Sequence, residues 1–422
     1  MIRILYNASI ISWAKSNSTM RSGVFFVAKN ILNELLKRED VEVVCYCDIL
    51  RYFELNEYLS ECYPSVKCIT DTKSRKVLYL SKKLSSIRTI NCNKKIGKKI
   101  IGLIRRLFVY GINILQHFCK KTPIHDYDVY LSPWNSVPCF IKKTNLPCFI
   151  IVHDMMPFIF PEYKGMLKPS NAFGRVIKDI SPKLYYLAIS EATKTDFIKY
   201  CPNVNKDQIF VSYNGIPDDF KRVSDSEIQL IRNKYLINEK YIFSLGNILP
   251  HKNLIMQIQS FLEFTDRYDI QDLKYVIAGG NSNFSSLIKS KFPNDYGKRI
   301  LYIGYVDDVD LPSLYSGAHW FSFTSKYEGF GLPVLEAMRC GCPVVTSSCS
   351  SLPEISGNAA IIVNCDDKEQ HVQAFYKYYF DEEFRLNKIN EGYDWSRKFS
   401  WQKSVADKIN IITAIISKEN RE

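Results

Sequence analysis

At 422 residues the chain exceeds one ordinary core and predicts two or three domains. Hydrophobic residues make up 46% and charged residues 24%, globular values that exclude a disordered chain, a collagen and a disulfide-stapled miniprotein. The formal net charge of +12 leaves nucleic acid and an anionic membrane open as partners, because both attract a basic protein.

The chain opens on Met1-Ile2-Arg3-Ile4-Leu5, which reads as a buried strand. It does not read as a signal peptide, which needs a basic segment, an apolar core and a small-residue cleavage site in that order. Val24, Val27, Ile31, Leu32 and Leu35 keep helical spacing, so a helix follows the Arg21-Ser22-Gly23 turn. Strands are expected at 2–5, 42–47, 128–131, 148–152, 185–189 and 209–211. Most are continuous apolar runs, the pattern of a parallel sheet covered on both faces. A second series is expected at 241–245, 275–278, 300–303, 319–323, 343–346 and 360–363. Two strand–helix series predict an α/β protein with two doubly wound domains, 1–216 and 239–394. The polar stretch 217–238 reads as a linker, and 395–422 is helical in pattern with no strand after it.

The charge is concentrated. Between 73 and 121 stand fourteen Lys and Arg residues and no Asp or Glu, so one segment carries the whole basicity. Ile96, Ile100, Leu103, Ile104, Leu107, Ile114 and Phe118 largely keep helical spacing there, with Lys94, Lys95, Lys98, Lys99, Arg105 and Arg106 among or beside them. That is the composition of a helix lying on an anionic bilayer. The plainer alternative is a helix packed on the sheet with a solvated basic face. The apolar run 107–119 falls short of the roughly 20 residues a spanning helix needs, so no span is expected. Nucleic acid is not expected, since no recognised binding motif accompanies the charge. The 13 cysteines form no CxxC pair and no zinc-type spacing, Cys340 and Cys342 read as packing residues, and a reducing cytoplasm fits best.

The chemistry concentrates in the second half. A strand ends at Gly246, and His251-Lys252-Asn253 then opens a helix. A helix N-terminus favours an anion, Lys252 adds a full charge and His251 a donor, which suits a diphosphate. A solvated Lys at a helix start is the alternative. In 324–338, Gly329 and Gly331 allow close backbone approach to a ligand, and Pro333 suits a first helical turn. Glu328 lies before these glycines and Glu336 eight positions later, on the helix. A carboxylate accepts hydrogen bonds from two neighbouring hydroxyls, as on a ribose. A sugar at one end, a ribose at the other and phosphates between describe a nucleotide sugar. Either Glu alone also reads as a carboxylate complementing a helix dipole. Asp308-Val309-Asp310 matches a metal-binding D-x-D pattern, but Asp310 as an N-cap with Pro312 in the first turn is the preferred reading. No G-x-G-x-x-G follows a strand and no P-loop is present, which argues against an NAD enzyme and a P-loop NTPase.

Glu328 to Glu336 resembles the E-x7-E signature of the family-4 retaining glycosyltransferases. The resemblance extends through Ala188-Ile189-Ser190, Tyr213-Asn214-Gly215-Ile216, His251-Lys252-Asn253, Gly304-Tyr305, Gly341-Cys342-Pro343 and Leu352-Pro353-Glu354. It implies the GT-B fold, two facing Rossmann-like domains with a C-terminal helix crossing back to the first. It implies that Glu336 holds the ribose, that Glu328 and the amides near Phe330, Gly331 and Leu332 meet the donor sugar, and that Lys252 neutralises the diphosphate. Gly23, Gly246, His251 and Val306 would join the donor site, and His153 would face the sugar. The implied catalytic set is His153, Lys252 and Glu328. Many members carry Arg where this chain has His251, one permanent charge fewer. Retention without a bound metal or other cofactor is implied.

The stretches 152–163 and 249–254 look most like mannosyltransferases of O-antigen or capsule assembly. GDP-mannose is the preferred donor, and a polyprenyl-diphosphate-linked glycan the acceptor. The expected location is cytoplasmic, peripheral to the inner face of the plasma membrane through 73–121. Donors carrying glucose, N-acetylglucosamine or rhamnose are the alternatives, with a catalytically silent nucleotide-sugar-binding partner and an epimerase or phosphorylase of the same fold.

Overall fold

Apolar runs without alternation need cover on both faces, and parallel sheets flanked by helices supply it. The computed structural model describes residues 1–15, 23–89, 95–246, 249–279 and 282–419. Its first sheet contains β1 (Ile2–Asn7), β2 (Val41–Tyr46), β3 (Cys68–Ile69), β4 (Val129–Ser132), β5 (Cys148–Val152), β6 (Leu184–Ala188) and β7 (Ile209–Val211). The strand order is β3-β2-β1-β4-β5-β6-β7. The second sheet contains β8 (Lys240–Leu245), β9 (Leu273–Ala278), β10 (Ile300–Gly304), β11 (Trp320–Phe323), β12 (Val344–Ser347) and β13 (Ile361–Val363), ordered β10-β9-β8-β11-β12-β13. All pairings between these strands are parallel.

Each sheet reverses its order once, between β1 and β4 and between β8 and β11. Helices leave opposite faces on either side of such a reversal and open a crevice at the carboxyl ends of the strands. That topology fixes where each unit has room for a ligand.

One compact unit comprises Met1–Ala188, Phe197–Ser212 and Val405–Glu422, and the other Ile189–Asp196 and Tyr213–Ser404. The stretch 217–238, read as a linker, lies within the second unit. It carries the helix Asp225–Lys234, started by a capping box in which Ser224 and Glu227 satisfy each other's backbone N–H. The last helix, Trp401–Glu419, begins in the second unit and belongs to the first from Val405 onward.

The basic segment forms two helices, Arg75–Thr89 and Lys95–Phe118. They pack through Val77, Leu84 and Ile112, which are buried with Ile49. Arg105 Nη2 donates to the carbonyls of Ile87 and Arg88 at 3.0 and 3.1 Å, covering the open end of the first helix. Arg88 pairs with Glu54 at 2.9 Å. The outward face of the second helix exposes Ile100, Leu103, Leu107, Tyr110, Ile114 and Phe118. Its inner partner is therefore a neighbouring helix, and its outer face is apolar as well as basic, with Lys99 and Arg106 exposed. Lys94 lies outside the described residues, as do the side chains of Lys95, Ile96 and Lys98. Among the described residues no helix is long and apolar enough to cross a membrane.

Candidate functional site

In the second unit, chemistry gathers where β8 and β11 part. β8 runs into Gly246, whose φ of 149° disfavours other residues. Gly279, at the end of β9, stands against it: a Cβ there would lie 2.8 Å from the Gly246 carbonyl oxygen. Gly279 was not singled out from sequence, and its position just after a strand was the available signal.

The turn Pro250–Lys252 closes on Asn253 in the left-handed conformation, φ 56°. The Asn253 amide donates to the carbonyls of Thr324 at 3.2 Å and Cys365 at 2.6 Å, tying the turn to the ends of β11 and β13. His251 is buried, and its carbonyl accepts from the Lys326 N–H at 2.6 Å. Lys252 thus leaves a turn anchored on both sides. Its Nζ lies 2.7 Å from Glu328 Oε1 and 5.3 Å from the centre of the Phe323 ring. The two residues read from sequence as phosphate clamp and sugar contact meet in one ion pair.

The loop after Glu328 is held by hydroxyls. The Glu328 carbonyl accepts from Ser350 and Ser351 at 2.6 and 2.9 Å, and the Phe330 carbonyl from Ser351 at 2.7 Å. The Gly329 carbonyl accepts from Ser190 and Thr193 at 2.7 and 3.0 Å. Phe330 is buried against Tyr213 and Phe399. Gly331, φ 114°, then turns the chain into the helix Leu332–Arg339. The first N–H groups of such a helix have no intrahelical partner and carry the positive end of its dipole. On this helix Glu336 accepts from the Tyr315 hydroxyl at 3.2 Å. Burial pushes its carboxyl up to about 7, Asp308 adding to the rise and the Tyr315 bond opposing it. Val306 is buried just beyond β10.

Asp310 differs from its sequence reading. It precedes the helix Leu311–Ser316 but makes no side-chain cap. Instead it accepts from Lys234 Nζ at 2.5 Å and from the Tyr235 hydroxyl at 2.7 Å. The capping preference gave way to a charged partner supplied by the helix Asp225–Lys234. Among the described residues no group of three or more His, Cys, Asp or Glu is placed to hold a metal ion.

His153 and Gly23 belong to the first unit. His153 follows β5, and its Nε2 lies 2.6 Å from the Pro133 carbonyl beyond β4, with the Trp134 ring 5.9 Å away. Burial lowers its pKa to about 4, the Lys408 charge adding and the Pro133 bond opposing, so the imidazole is neutral at pH 7. Lys408, on the last helix, is itself buried and drawn down to about 7 by that burial. It donates to the Ser212 hydroxyl at 3.0 Å and its carbonyl at 3.4 Å. A cavity of about 540 Å³ lies at the β1/β4 reversal, lined by Asn7, Trp13, Asp48, Trp134, Asn135 and Arg175 among others. Gly23 opens the helix Gly23–Leu36, where a Cβ would meet nothing within 4 Å, while Arg21 and Ser22 lie outside the described residues.

Residues 227–395 match the family described as Glycosyl transferases group 1. The chain is a glycosyltransferase of the GT-B fold. This glycosyltransferase is 29% identical over 324 residues to O-antigen chain mannosyltransferase B of Escherichia coli, an overlap covering 74% of this chain and 82% of that relative. It is 28% identical over 276 residues to the serotype-specific mannosyltransferase WbdA of the same organism, spanning a third (33%) of the relative's length. The structure of Anabaena HepE, solved with UDP and glucose, superposes with a TM-score of 0.64 over 98% of this chain and 100% of that one, at 14% identity. The glycosyltransferase thus resembles bacterial O-antigen mannosyltransferases in sequence and shares its fold with HepE.

Proposed function

We propose that this glycosyltransferase moves a hexose, mannose from GDP-mannose, onto a lipid-linked glycan during O-antigen or capsule synthesis, with retention of configuration. The observation that carries the donor half is the Lys252–Glu328 pair at the β8/β11 reversal, beside a helix N-terminus whose backbone is fixed by four hydroxyls. A nucleoside diphosphate entering there exchanges the Glu328 partner of Lys252 for its own phosphates and frees Glu328 for the sugar hydroxyls. Lys252 and the N–H groups after Phe330 then stabilise charge on the departing diphosphate, an electrostatic effect of the oxyanion type. Glu336 accepts the ribose hydroxyls. With charge supplied by Lys252 and the helix dipole, the reaction requires no bound metal. The acceptor hydroxyl attacks on the face the diphosphate leaves, and a phosphate oxygen takes its proton.

The relatives' names support mannose, and HepE with UDP and glucose makes a UDP-sugar the competing donor. The cavity of the first unit, with Trp13 and Trp134 for sugar faces and Asn7 and Asn135 for hydroxyls, supports a glycan acceptor. The apolar, basic face of Lys95–Phe118 supports peripheral attachment to an anionic bilayer.

A donor panel read by thermal shift, followed by transfer from GDP-mannose and UDP-glucose to lipid-linked acceptor, tests the proposal. Stabilisation by no nucleotide sugar sinks it, and transfer from UDP-glucose alone replaces the donor. Leu103→Asp with Leu107→Asp removes binding to phosphatidylglycerol vesicles if the helix is the attachment face.

A further inference from the structure

Strands β12 and β13 pair with Ser347 opposite Val363, and the Ser348 N–H donates to the Val363 carbonyl at 2.8 Å. Two residues beyond that pair, past the end of each strand, stand Cys349 and Cys365. Parallel strands lie about 4.8 Å apart, within the roughly 4.4–6.8 Å between Cα atoms that a disulfide spans. The register therefore predicts that the two thiols meet, and their sulfurs are 3.2 Å apart. Cys349 is partly exposed and Cys365 is buried.

We propose that Cys349 and Cys365 are an oxidisable pair, converted to an intramolecular disulfide by a low-molecular-weight disulfide, and that this bond weakens donor binding. The Cys349 thiolate attacks one sulfur of glutathione disulfide and releases one glutathione thiolate. Cys365 Sγ then attacks Cys349 Sγ, its proton passes to solvent by way of the Asp366 carboxylate 3.7 Å away, and the second glutathione leaves. The two cysteines lose two electrons and two protons, and one glutathione disulfide becomes two glutathione thiols. Burial, and then the hydrogen bond shared with Cys349, push the Cys365 thiol up to about 12, so Cys349, the reachable sulfur, reacts first.

The pair sits between the two holders of the Lys252–Glu328 site. Cys349 directly precedes Ser350 and Ser351, whose hydroxyls hold the Glu328 carbonyl. The Cys365 carbonyl accepts from Asn253, which closes the turn of Lys252. Ser350 already has φ 52°, a left-handed conformation with little slack for a non-glycine residue. Closing the sulfurs to a bond of about 2.05 Å pulls on both holders at once. Formation of the bond is independent of the donor assignment, whereas its effect rests on that reading.

The test uses the full chain, reduced or treated with glutathione disulfide. Cleavage after Glu354 places the two cysteines on separate peptides, which stay joined in the oxidised protein and separate with dithiothreitol. Affinity for GDP and UDP should fall about tenfold or more on oxidation and recover on reduction. Cys349→Ser should bind nucleotide as the reduced protein does and ignore the oxidant, with Cys365→Ser as the second variant if the first folds poorly. No Cys349–Cys365 linkage, linkage without loss of affinity, or equal loss in Cys349→Ser each overturns the proposal. A reduced protein that binds neither nucleotide overturns the donor reading, and with it the effect on binding, while the peptide map still decides whether the bond forms.

Discussion

At the reversal of the second sheet a lysine and a carboxylate stand 2.7 Å apart. Near the reversal of the first, burial drives His153 and Lys408 toward neutrality, to about 4 and about 7. Both sheets follow one strand order around the reversal, so topology sets the location of each site and leaves its chemistry open. The loops decide the chemistry. A full charge at β8/β11 suits a diphosphate, and an uncharged histidine beside the Trp134 ring suits a neutral sugar hydroxyl. A reversal of these chemistries on mutation would break the comparison.

The largest effect is expected at the charged site. Lys252→Ala and Glu328→Ala should each lower kcat by about 10²–10³-fold with the melting temperature little changed. Wild-type turnover in either variant would remove the second unit's claim to the reacting end. His153→Ala should lower transfer by about 10²-fold or less while leaving nucleotide affinity intact, measured by calorimetry. Because its imidazole is neutral down to about pH 4, its loss should not alter the rate profile between pH 6 and 8.

That profile should instead report Glu336. Its folded pKa of about 7 lies above the usual carboxylate value, so it becomes a full acceptor only as pH rises through 7. Donor KM should fall from pH 6 to 8, and Glu336→Gln should flatten the trend. The same shift makes stability decline between pH 4.5 and 7, since the folded chain holds the proton longer.

The smallest effect concerns Lys408. Its folded pKa is depressed, so above pH 7 the unfolded chain binds more protons and stability rises with pH. Lys408→Met should remove a slope that approaches but does not exceed about 1.4 kcal/mol per pH unit between pH 7 and 8.5, read from denaturant midpoints.

Strand positions were largely legible, because a strand buried on both faces writes itself as an unbroken apolar run. β3 was not, since two residues carry no pattern. The helix Asp225–Lys234 was hidden by its polarity, with Ile231 its buried residue, although Ser224 and Glu227 stood at capping-box spacing. Glu328, Glu336 and Lys252 were visible because their glycine and proline frame is local. Ser190, Thr193, Ser350 and Ser351 were not read as its supports, because each bonds a backbone carbonyl distant in sequence or one that any residue could supply. Lys408 carries no local signal within the helical pattern of 395–422, and only tertiary packing buries it.

The inward bonds of the basic hairpin have a consequence for ionic strength. Arg88 and Arg105 bond carbonyls within the fold, and Lys121 Nζ donates to the Gln116 carbonyl at 3.0 Å. Cations engaged in this way carry fewer mobile counterions and release fewer when a polyanion approaches. The salt dependence of the proposed attachment to an anionic bilayer should therefore count the outward cations, Lys99 and Arg106 among them, and fall below the fourteen charges that composition assigns to 73–121.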